Sequence, residues 1–404
     1  MSDLLAHGML AGLAQIAQTG RDAGRGGYSR HVWQPADFEL RAWFIERAER
    51  LGLMVETDRN GNIWAWWGAP GPNAVVTGSH LDSVPGGGAY DGPLGVVSAL
   101  EAIARLQERG VTPTRPCAIV VFAEEEGSRF GIACLGSRLM AGTLDADRAR
   151  ALSDRDGVSL ADAAARAGVN PAHLGTDREA LGRIGLFIEL HVEQGRGLID
   201  QGHPVALASS ILAHGRWRLT VTGQGNHAGA TLMTDRRDPM IATARALLLV
   251  RDAATKRPGT RATVGRLNVV PGGTNVIPSR VDAWLDARAE TDEETRVLVE
   301  EITAGVEAAV AENGCTVSVI EESWTGAVHF DPILRDRFSA ALDNIPALAT
   351  GAGHDAGVLA ASVPSAMLFV RNPTGISHSP EEFAEAEDCV AGVEALEKLL
   401  RTLL

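Results

Sequence analysis

The chain has 404 residues, of which 45% are hydrophobic and 22% are charged, and its formal net charge at pH 7 is −14. This is the composition of an ordinary globular protein, and a chain of this length is expected to form two or three domains. The acidic balance argues against a nucleic-acid or anionic-membrane partner, and no apolar run approaches the roughly 20 residues of a membrane-spanning helix.

The first part of the chain predicts a helix followed by a pair of strands. Apolar residues recur at helical spacing through residues 38–51, which predicts an amphipathic helix. Asn60-Gly61 is typical of a turn, and the segments on either side of it, 54–56 and 63–66, predict two paired strands.

Three apolar segments that end in polar residues predict a parallel sheet. Residues 74–80 and 117–123 read as buried strands, and the helical pattern of residues 94–109 between them completes a βαβ unit. Residues 184–190 predict a further strand that again ends in charge. Buried parallel strands deliver ligands at their carboxyl ends, so these polar residues are candidates for a site.

The pattern changes near Ser209, after which half-buried strands alternate with helices. Their β-α-β-β-α order resembles a ferredoxin-like α+β module. The predicted elements are strands at 217–222, 262–269 and 281–288 and helices at 239–253 and 293–312.

After this module the chain returns to α/β patterning, with a strand at 365–370 and a closing helix at 384–404. We therefore predict an inserted α+β domain at 211–324. Residues 1–210 and 325–404 are predicted to form one discontinuous α/β domain with a mixed, mostly parallel sheet.

Residues of metal-ligand type follow the predicted strands. Imidazoles and carboxylates together suit zinc, manganese, cobalt or nickel. Adjacent carboxylates such as Glu125 and Glu126 repel each other, and a divalent cation relieves that repulsion while one of them stays available as a base. A histidine that ligates a metal usually donates its other ring N–H to a carboxylate, which makes His80-x-Asp82 a suggestive pair. These residues predict a metal-assisted hydrolase.

Simpler interpretations exist for each motif taken alone. Most histidines in a chain are ordinary core or surface residues, and a run of glutamates often begins a solvated helix. Gly86–Gly88 lacks the Gly-Lys-Ser/Thr of a phosphate-binding loop, and residues 351–355 are typical of a tight loop. No Gly-x-Ser-x-Gly motif is present, which argues against a serine hydrolase.

The four cysteines are far apart in the sequence and form no Cys-x-x-Cys pair. They are interpreted as reduced, mostly buried thiols of a cytoplasmic protein. They are Cys117, Cys134, Cys315 and Cys389.

The motifs are much more specific in combination. Together they resemble the amidase, hydantoinase/carbamoylase branch of the M20 metallopeptidase family, which contains N-carbamoyl-L-amino acid hydrolases and allantoate amidohydrolases. The resemblance covers essentially the whole chain. The motifs that carry it are Gly-Ser-His80-Leu-Asp82-Ser-Val, Asp91-Gly-Pro-Leu-Gly, Glu-Glu125-Glu126-Gly-Ser-Arg-Phe, His191-Val-Glu-Gln-Gly, Gly-Asn-His227-Ala-Gly, Gly-Thr-Asn275-Val-Ile-Pro and Ser-His378-Ser-Pro-Glu-Glu.

The resemblance implies two divalent metal ions per subunit, of Zn²⁺, Mn²⁺, Co²⁺ or Ni²⁺ type. His80 and His191 would bind one ion, Glu126 and His378 would bind the other, and Asp91 would bridge them. In this family the peptide bond that follows Asp91 is often cis.

The same resemblance implies the catalytic roles. Glu125 would be the general base for the attacking water, and Asp82 would orient His80. The inserted domain would serve as a lid and dimerisation domain of a homodimer. From it, His227 would reach the partner's active site and polarise the scissile carbonyl.

Three residues would hold the substrate: Gln194, Asn275 and Arg288, with the Arg288 guanidinium forking onto a carboxylate. The implied substrate is a small linear ureido acid. N-carbamoyl-L-amino acids, allantoate and ureidoglycolate all combine a carbamoyl group with a carboxylate, and the sequence does not choose among them.

A histidine at position 191 separates the branches of the family. The peptidase branches usually have an acidic residue at this metal position, so His191 favours hydrolysis of a ureido group over a peptide bond. A di-metal aminopeptidase or dipeptidase is the alternative function. An inactive scaffold protein is a third interpretation. The intact set of predicted ligands argues against the scaffold.

Overall fold

The computed structural model describes Gly8 and residues 10–404. It divides into two compact units. The first unit runs to Ser209 and resumes at His329–Leu404, and the second unit is Ser210–Val328. No helix in the described part of the chain has the length and apolar character needed to cross a membrane.

The strands are numbered in chain order. They are β1 (Met54–Thr57), β2 (Ile63–Trp67), β3 (Ala74–His80), β4 (Cys117–Phe122), β5 (Ile184–Val192), β6 (Val205–Ile211), β7 (Ala213–Thr222), β8 (Asn226–His227), β9 (Arg261–Val270), β10 (Val276–Ile277), β11 (Arg280–Ala289), β12 (Thr316–Thr325), β13 (Val328–His329), β14 (Ala347–Thr350) and β15 (Ser365–Val370).

The α-helices are numbered in the same way, and two short 3-10 helices lie at Pro171–His173 and Met233–Asp235. The α-helices are α1 (Ala11–Gln15), α2 (Pro35–Arg50), α3 (Pro93–Glu108), α4 (Leu135–Ala141), α5 (Ala146–Arg150), α6 (Leu160–Arg166), α7 (Arg178–Arg183), α8 (Gly197–Gln201), α9 (Pro239–Thr255), α10 (Asp292–Glu312), α11 (Pro332–Ala341), α12 (Asp355–Leu359) and α13 (Ala386–Leu403).

A mixed sheet forms the centre of the first unit. Its strand order is β1-β2-β4-β3-β5-β15-β6-β13, with β14 paired to β6. The four central strands β4, β3, β5 and β15 are parallel, whereas β1 runs antiparallel to β2, β2 to β4 and β6 to β15. The prediction of a mixed sheet is confirmed, but parallel pairing is confined to its centre. The Asn60-Gly61 turn explains one antiparallel pair, because a short hairpin can join only antiparallel strands.

The central strands are buried along almost their whole length because both faces of the sheet are covered. Every residue of β3, β4 and β15 is buried. Helices α3 and α13 pack on this sheet and contribute Leu94, Leu100 and Leu396 to its main apolar cluster. Continuous burial of this kind is typical of parallel strands. The carboxyl ends of these strands, where the predicted site residues lie, meet at one edge of the sheet.

The second unit contains a four-stranded antiparallel sheet in the order β12-β7-β11-β9. Helices α9 and α10 supply apolar residues to one shared core with β7 and β11, including Val250, Ile302 and Leu285. The chain order of the long elements is β-α-β-β-α-β, which is the ferredoxin-like arrangement. Helix α10 begins with a capping box, in which Thr291 and Glu294 satisfy each other's backbone N–H groups.

Candidate metal centre and active site

Residues of metal-ligand type converge at one edge of the first unit's sheet. His80 is the last residue of β3, and His191 is next to last in β5. Glu125 and Glu126 lie shortly after β4, and Asp91 lies just before α3. Since β3, β4 and β5 are parallel, their carboxyl ends meet at the same edge.

His80, Asp91 and His191 form a fully buried group whose ligand atoms face one another. Asp91 Oδ1 lies 3.5 Å from His80 Nε2 and 3.2 Å from His191 Nε2, and the two Nε2 atoms are 3.5 Å apart. Nitrogen and oxygen ligands about 2.0–2.1 Å from a tetrahedral cation lie about 3.3–3.4 Å from one another. The three atoms therefore have the spacing of one face of a tetrahedral coordination shell.

The main chain determines which ring nitrogen of each histidine faces this group. His80 Nδ1 lies 3.0 Å from the carbonyl oxygen of Asp82, and His191 Nδ1 lies 2.9 Å from that of Val192. A carbonyl oxygen only accepts hydrogen bonds, so each Nδ1 carries the proton. The Nε2 lone pairs are thereby left for a cation, as in most metal-binding histidines.

The side chain of Asp82 ties the ends of two strands together. Its Oδ1 accepts the N–H of Glu125 and its Oδ2 accepts the N–H of Glu126, each at 3.1 Å. His80 Nδ1 lies 3.7 Å from Asp82 Oδ1, farther than from the Asp82 carbonyl oxygen. Asp82 thus contacts His80 mainly through its backbone, while its carboxylate holds the backbone of the two glutamates.

Asp91, Glu126 and His378 form a second group of ligand type. His378 Nε2 lies 3.5 Å from Asp91 Oδ2 and 3.3 Å from Glu126 Oε2. Glu126 Oε1 is buried without a hydrogen-bond partner among the described residues. An orphaned buried carboxylate oxygen costs free energy, and a cation at this position would relieve it. Asp91 Oδ1 thus faces the two histidines of the first group, whereas Asp91 Oδ2 faces His378 in the second group.

Glycines explain how Asp91 reaches this position. Gly92 has a positive φ of 83°, and a Cβ atom there would lie 2.4 Å from the His80 ring. A Cβ atom at Gly95, in the first turn of α3, would lie 2.2 Å from the carbonyl oxygen of Leu190. Both glycines of the Asp-Gly-Pro-Leu-Gly motif are therefore required for close approach.

The bond between Asp91 and Gly92 is not cis. Among the described residues, the cis peptide bond lies between Val270 and Pro271. The expectation of a cis bond after Asp91 was wrong for this chain.

The electrostatics of the groups favour bound positive charge. Burial opposes a charged His80 imidazole, but the carboxylates of Glu125 and Asp91 overcome this effect and raise the pKa of His80 well above its usual value. Burial tends to raise the pKa of Asp91, yet hydrogen bonds from His191 and His80 hold it well below its usual range. A cluster of carboxylates around imidazoles is the environment in which a divalent cation binds well.

Glu125 lies beside the first group without belonging to either group. Its Oε2 is 3.6 Å from His80 Nε2, and its Oε1 is 3.3 Å from the thiol sulfur of Cys134. Burial raises the pKa of Glu125 well above its usual value, and the neighbouring carboxylates of Asp355 and Glu126 add to this effect. A buried carboxylate with a raised pKa is suited to take up and return a proton.

Gln194 lies against the second group. Its Nε2 donates to Asp91 Oδ2 at 3.0 Å and to Ser377 Oγ at 3.2 Å, and it lies 3.2 Å from His378 Nε2. The predicted substrate residue is therefore brought together with the predicted metal ligands.

The remaining predicted residues belong to the second unit. His227 is exposed and lies in β8, and its Nδ1 accepts the N–H groups of Gly229 and Ala230, both at 3.1 Å. In the neutral ring the proton is then on Nε2, which becomes a hydrogen-bond donor. The exposed His227 side chain therefore presents its Nε2–H as a hydrogen-bond donor. Asn275 lies next to His227, because the Asn275 carbonyl oxygen accepts the N–H of Ala228.

Arg288 lies on β11, apart from the turn that holds His227. Its Nε donates to Asp286 Oδ1 at 2.7 Å and its NH2 group to Asp286 Oδ2 at 3.0 Å. Arg216 approaches the same carboxylate at 3.6 Å. A bidentate ion pair of this kind fixes the plane of the guanidinium.

No role is predicted for Glu189 or His354, which are buried beside His191. Glu189, His191 and His354 also have ligand atoms close together. However, both oxygens of Glu189 already accept hydrogen bonds, from Ser79 Oγ and the N–H of Ala356, each at 2.9 Å. This arrangement indicates support for the strand ends.

His354 packs on the ring of His191 with their centroids 4.5 Å apart. Burial, together with the charge of His191, holds the pKa of His354 well below its usual value. The next residue, Asp355, is buried and accepts a hydrogen bond from Ser137. The sequence signal for His354 and Asp355 is the Gly-His-Asp segment, which by itself is typical of a tight loop.

Comparison with known proteins shows the family to which the chain belongs. The model of peptidase family M20/M25/M40 matches residues 76–402. The chain is 35% identical to an N-carbamoyl-L-amino acid amidohydrolase of Geobacillus stearothermophilus over 390 residues, which covers 95% of each chain. It is 33% identical to an allantoate amidohydrolase of Bacillus subtilis strain 168, covering 96% of this chain and 95% of that protein.

A solved structure is similar over the same extent. The crystal structure of an amidase of the hydantoinase/carbamoylase family from Burkholderia multivorans superposes with a TM-score of 0.87 at 30% identity. The alignment covers 98% of this chain and 97% of that one. The chain therefore belongs to peptidase family M20/M25/M40, as a hydrolase of its hydantoinase/carbamoylase amidase branch.

Proposed function

We propose that this protein hydrolyses the carbamoyl C–N bond of a linear ureido acid, either an N-carbamoyl-L-amino acid or allantoate. With water, an N-carbamoyl amino acid yields the free amino acid, carbon dioxide and ammonia. The observation that carries the proposal is the pair of ligand groups that share Asp91, with donor atoms 3.2–3.5 Å apart. The names of the two relatives support the substrate class.

The residues present fit a divalent metal centre. His80 and His191 would hold one ion, Glu126 and His378 a second, and Asp91 would contribute one oxygen to each. When bound, such ions lower the pKa of water and polarise the substrate carbonyl. Imidazole and carboxylate ligands accept Zn²⁺, Mn²⁺, Co²⁺ or Ni²⁺.

Glu125 moves the proton in this proposal. Its carboxylate accepts a proton from the water that attacks the carbamoyl carbon and returns it to the departing nitrogen. The raised pKa of Glu125, caused first by burial, makes both steps feasible at the same residue. Asp82 acts by holding the backbone of Glu125 and Glu126 in place.

Residues of the second unit bind the substrate. The Nε2–H of His227 donates to the oxygen on which negative charge develops, because backbone N–H groups occupy its Nδ1. Arg288 forks onto the substrate carboxylate, and Asn275 and Gln194 supply further hydrogen bonds. His191 supports a ureido substrate over a peptide, because the peptidase branches usually carry an acidic residue there.

The proposed domain organisation follows from these roles. Residues 1–210 and 325–404 are the catalytic domain, and 211–324 is a lid and dimerisation domain. In the proposed homodimer, His227 serves the active site of the partner. Co-expression of Glu125→Gln and His227→Ala chains tests this role, since a mixed dimer then has one intact site. About a quarter of wild-type activity is expected for random pairing, and an inactive mixture places His227 in its own subunit's site.

The substrate is tested by ammonia release after metal loading. The panel contains allantoate, ureidoglycolate, several N-carbamoyl-L-amino acids, N-carbamoyl-β-alanine and two dipeptides. Strong release from one ureido acid, abolished by a chelator and restored by Mn²⁺ or Zn²⁺, is expected. Dipeptide cleavage without ammonia release from any ureido acid would contradict the proposal.

A further inference from the structure

The loop that carries His378 also carries a buried acidic residue, Glu382. Neither the resemblance nor the proposed mechanism assigns it a role. Glu382 is only 5% exposed, whereas its neighbour Glu381 is exposed. A carboxylate is rarely buried to this extent without donors that compensate it. Its contacts therefore indicate what it does.

Both oxygens of Glu382 accept hydrogen bonds from residues beside the metal ligands. Oε1 accepts the N–H groups of Tyr90 and Asp91, each at 3.0 Å. Oε2 accepts the hydroxyl of Ser377 at 3.1 Å. One carboxylate thus joins the backbone of Asp91 to the residue that precedes His378.

Ser377 extends this connection to the ligand atoms. Its Oγ lies 3.1 Å from Asp91 Oδ2, the oxygen that faces the second ligand group. It also accepts from Gln194 Nε2 at 3.2 Å. His378 itself has a positive φ of 55° and a half-exposed side chain.

Gly88 shows that the chain leaves room for this carboxylate. A Cβ atom at position 88 would lie 2.1 Å from Glu382 Oε1 and 2.6 Å from its Cβ. No side chain other than that of glycine leaves space for Glu382 here. On the far side, Phe383 packs edge-on against the ring of Tyr90, with centroids 6.5 Å apart.

We propose that Glu382 is a positioning residue that sets the distance between Asp91 and His378 and thereby builds the second cation position. This inference rests on the proposed function. Glu382 is not a ligand in it, because both of its oxygens are engaged by donors. Its loss should weaken the cation held by Asp91, Glu126 and His378 and spare the one held by His80, Asp91 and His191.

The experiment is a titration of the metal-free protein with Co²⁺, followed by absorption and calorimetry. Wild type is expected to bind two ions per subunit. Glu382→Ala is expected to bind one ion with unchanged affinity and the other about 10–100-fold more weakly, the usual range when a group that orients a ligand is removed. Excess Co²⁺ should restore ammonia release.

Three further variants keep the test independent of folding. In Glu382→Gln, the amide oxygen can still accept both N–H groups and its NH₂ can donate to Ser377, so near-normal binding is expected. Ser377→Ala removes only the hydroxyl link and should weaken the same ion about fivefold. Gly88→Ala, which displaces Glu382, should reproduce the binding of Glu382→Ala.

Glu381→Ala is the matched control, since it makes the same truncation one residue away at an exposed position, and its binding should equal that of wild type. Two tight ions in both Glu382→Ala and Gly88→Ala, or equal weakening of both ions, would overturn the positioning role. If wild type binds no Co²⁺, the proposed metal centre itself fails, which is a different result.

Discussion

The candidate active-site residues of the two units differ sharply in their surroundings. In the first unit, His80, Asp91 and His191 are buried to at least 97% and their polar atoms face one another. In the second unit, His227 and Asn275 are exposed and are held by hydrogen bonds to backbone groups. The first set is organised by the packing of buried side chains, and the second by hydrogen bonds with the main chain.

This difference separates two kinds of variant. Changes in the buried set should alter cation binding or proton transfer, whereas changes in the exposed set should alter catalysis or substrate binding and leave the cations in place. Metal content measured beside kinetics therefore tests the comparison at every position.

The largest effect is expected for Glu125→Gln. The amide keeps the shape of the side chain but cannot accept the proton, so kcat should fall by about 10²–10⁴-fold. Metal content should stay at the wild-type value, because Glu125 belongs to neither ligand group. Steady-state ammonia release and elemental analysis are the measurements. Near-normal turnover would remove Glu125 from its role as base.

His227→Ala should follow, with kcat reduced by about 10²–10³-fold, the usual loss when one donor to a developing oxyanion is removed. Metal content should be unchanged, because His227 lies in the second unit. His203→Ala, at an exposed histidine of the first unit, is the control. A His227→Ala protein that loses its metal would break the distinction between the two regions.

Arg288→Lys should act mainly on KM. Lysine keeps the charge but not the planar fork, and the loss of one charged hydrogen bond corresponds to about a tenfold rise in KM or more. Arg280→Lys, at an exposed arginine of the same strand, should behave as wild type. If KM for a ureido acid does not change, Arg288 does not bind the substrate carboxylate.

The smallest effect is expected for Cys134→Ala. Burial raises the pKa of this thiol well above its usual value, so it remains protonated and donates to Glu125 Oε1. Loss of a hydrogen bond worth about 0.5–1.5 kcal/mol should lower kcat about two- to tenfold with KM unchanged. Cys134→Ser restores a donor and should recover part of the rate. Equal loss in both variants would indicate packing alone.

Much of the fold was predictable because its signals are local. The strands 74–80 and 365–370 have the predicted bounds, since an uninterrupted apolar run bounded by polar residues marks a buried strand. The Asn60-Gly61 turn predicts the antiparallel pairing of β1 with β2, but the sequence pattern does not predict that β2 and β6 pair antiparallel with β4 and β15. Strand order depends on contacts between distant parts of the chain, which periodicity does not report.

The candidate site was predictable only at the level of residue type. Polar residues at strand ends pointed to a metal site, and the family motifs supplied the roles. The hydrogen bonds of Asp82 and Glu382 escaped prediction, because each joins loops that are far apart in sequence. The contact of Cys134 with Glu125 lies within one irregular loop, whose conformation periodicity does not report. A carboxylate in a motif does not reveal whether it binds a metal or a backbone N–H.

The position of β15 has a consequence for synthesis of the protein. This strand pairs in parallel with β5, but β5 ends at Val192 and β15 at Val370. At about 5–20 residues per second, the ribosome needs roughly 10–35 s to make the chain between them. During that time the side of β5 that pairs with β15 has no partner strand, and an unpaired strand edge is a known starting point for aggregation. Residues 210–328 are synthesised in this interval, so their early folding would shorten the unfolded part of the nascent chain. Slower translation after residue 192 should lower the yield of active protein.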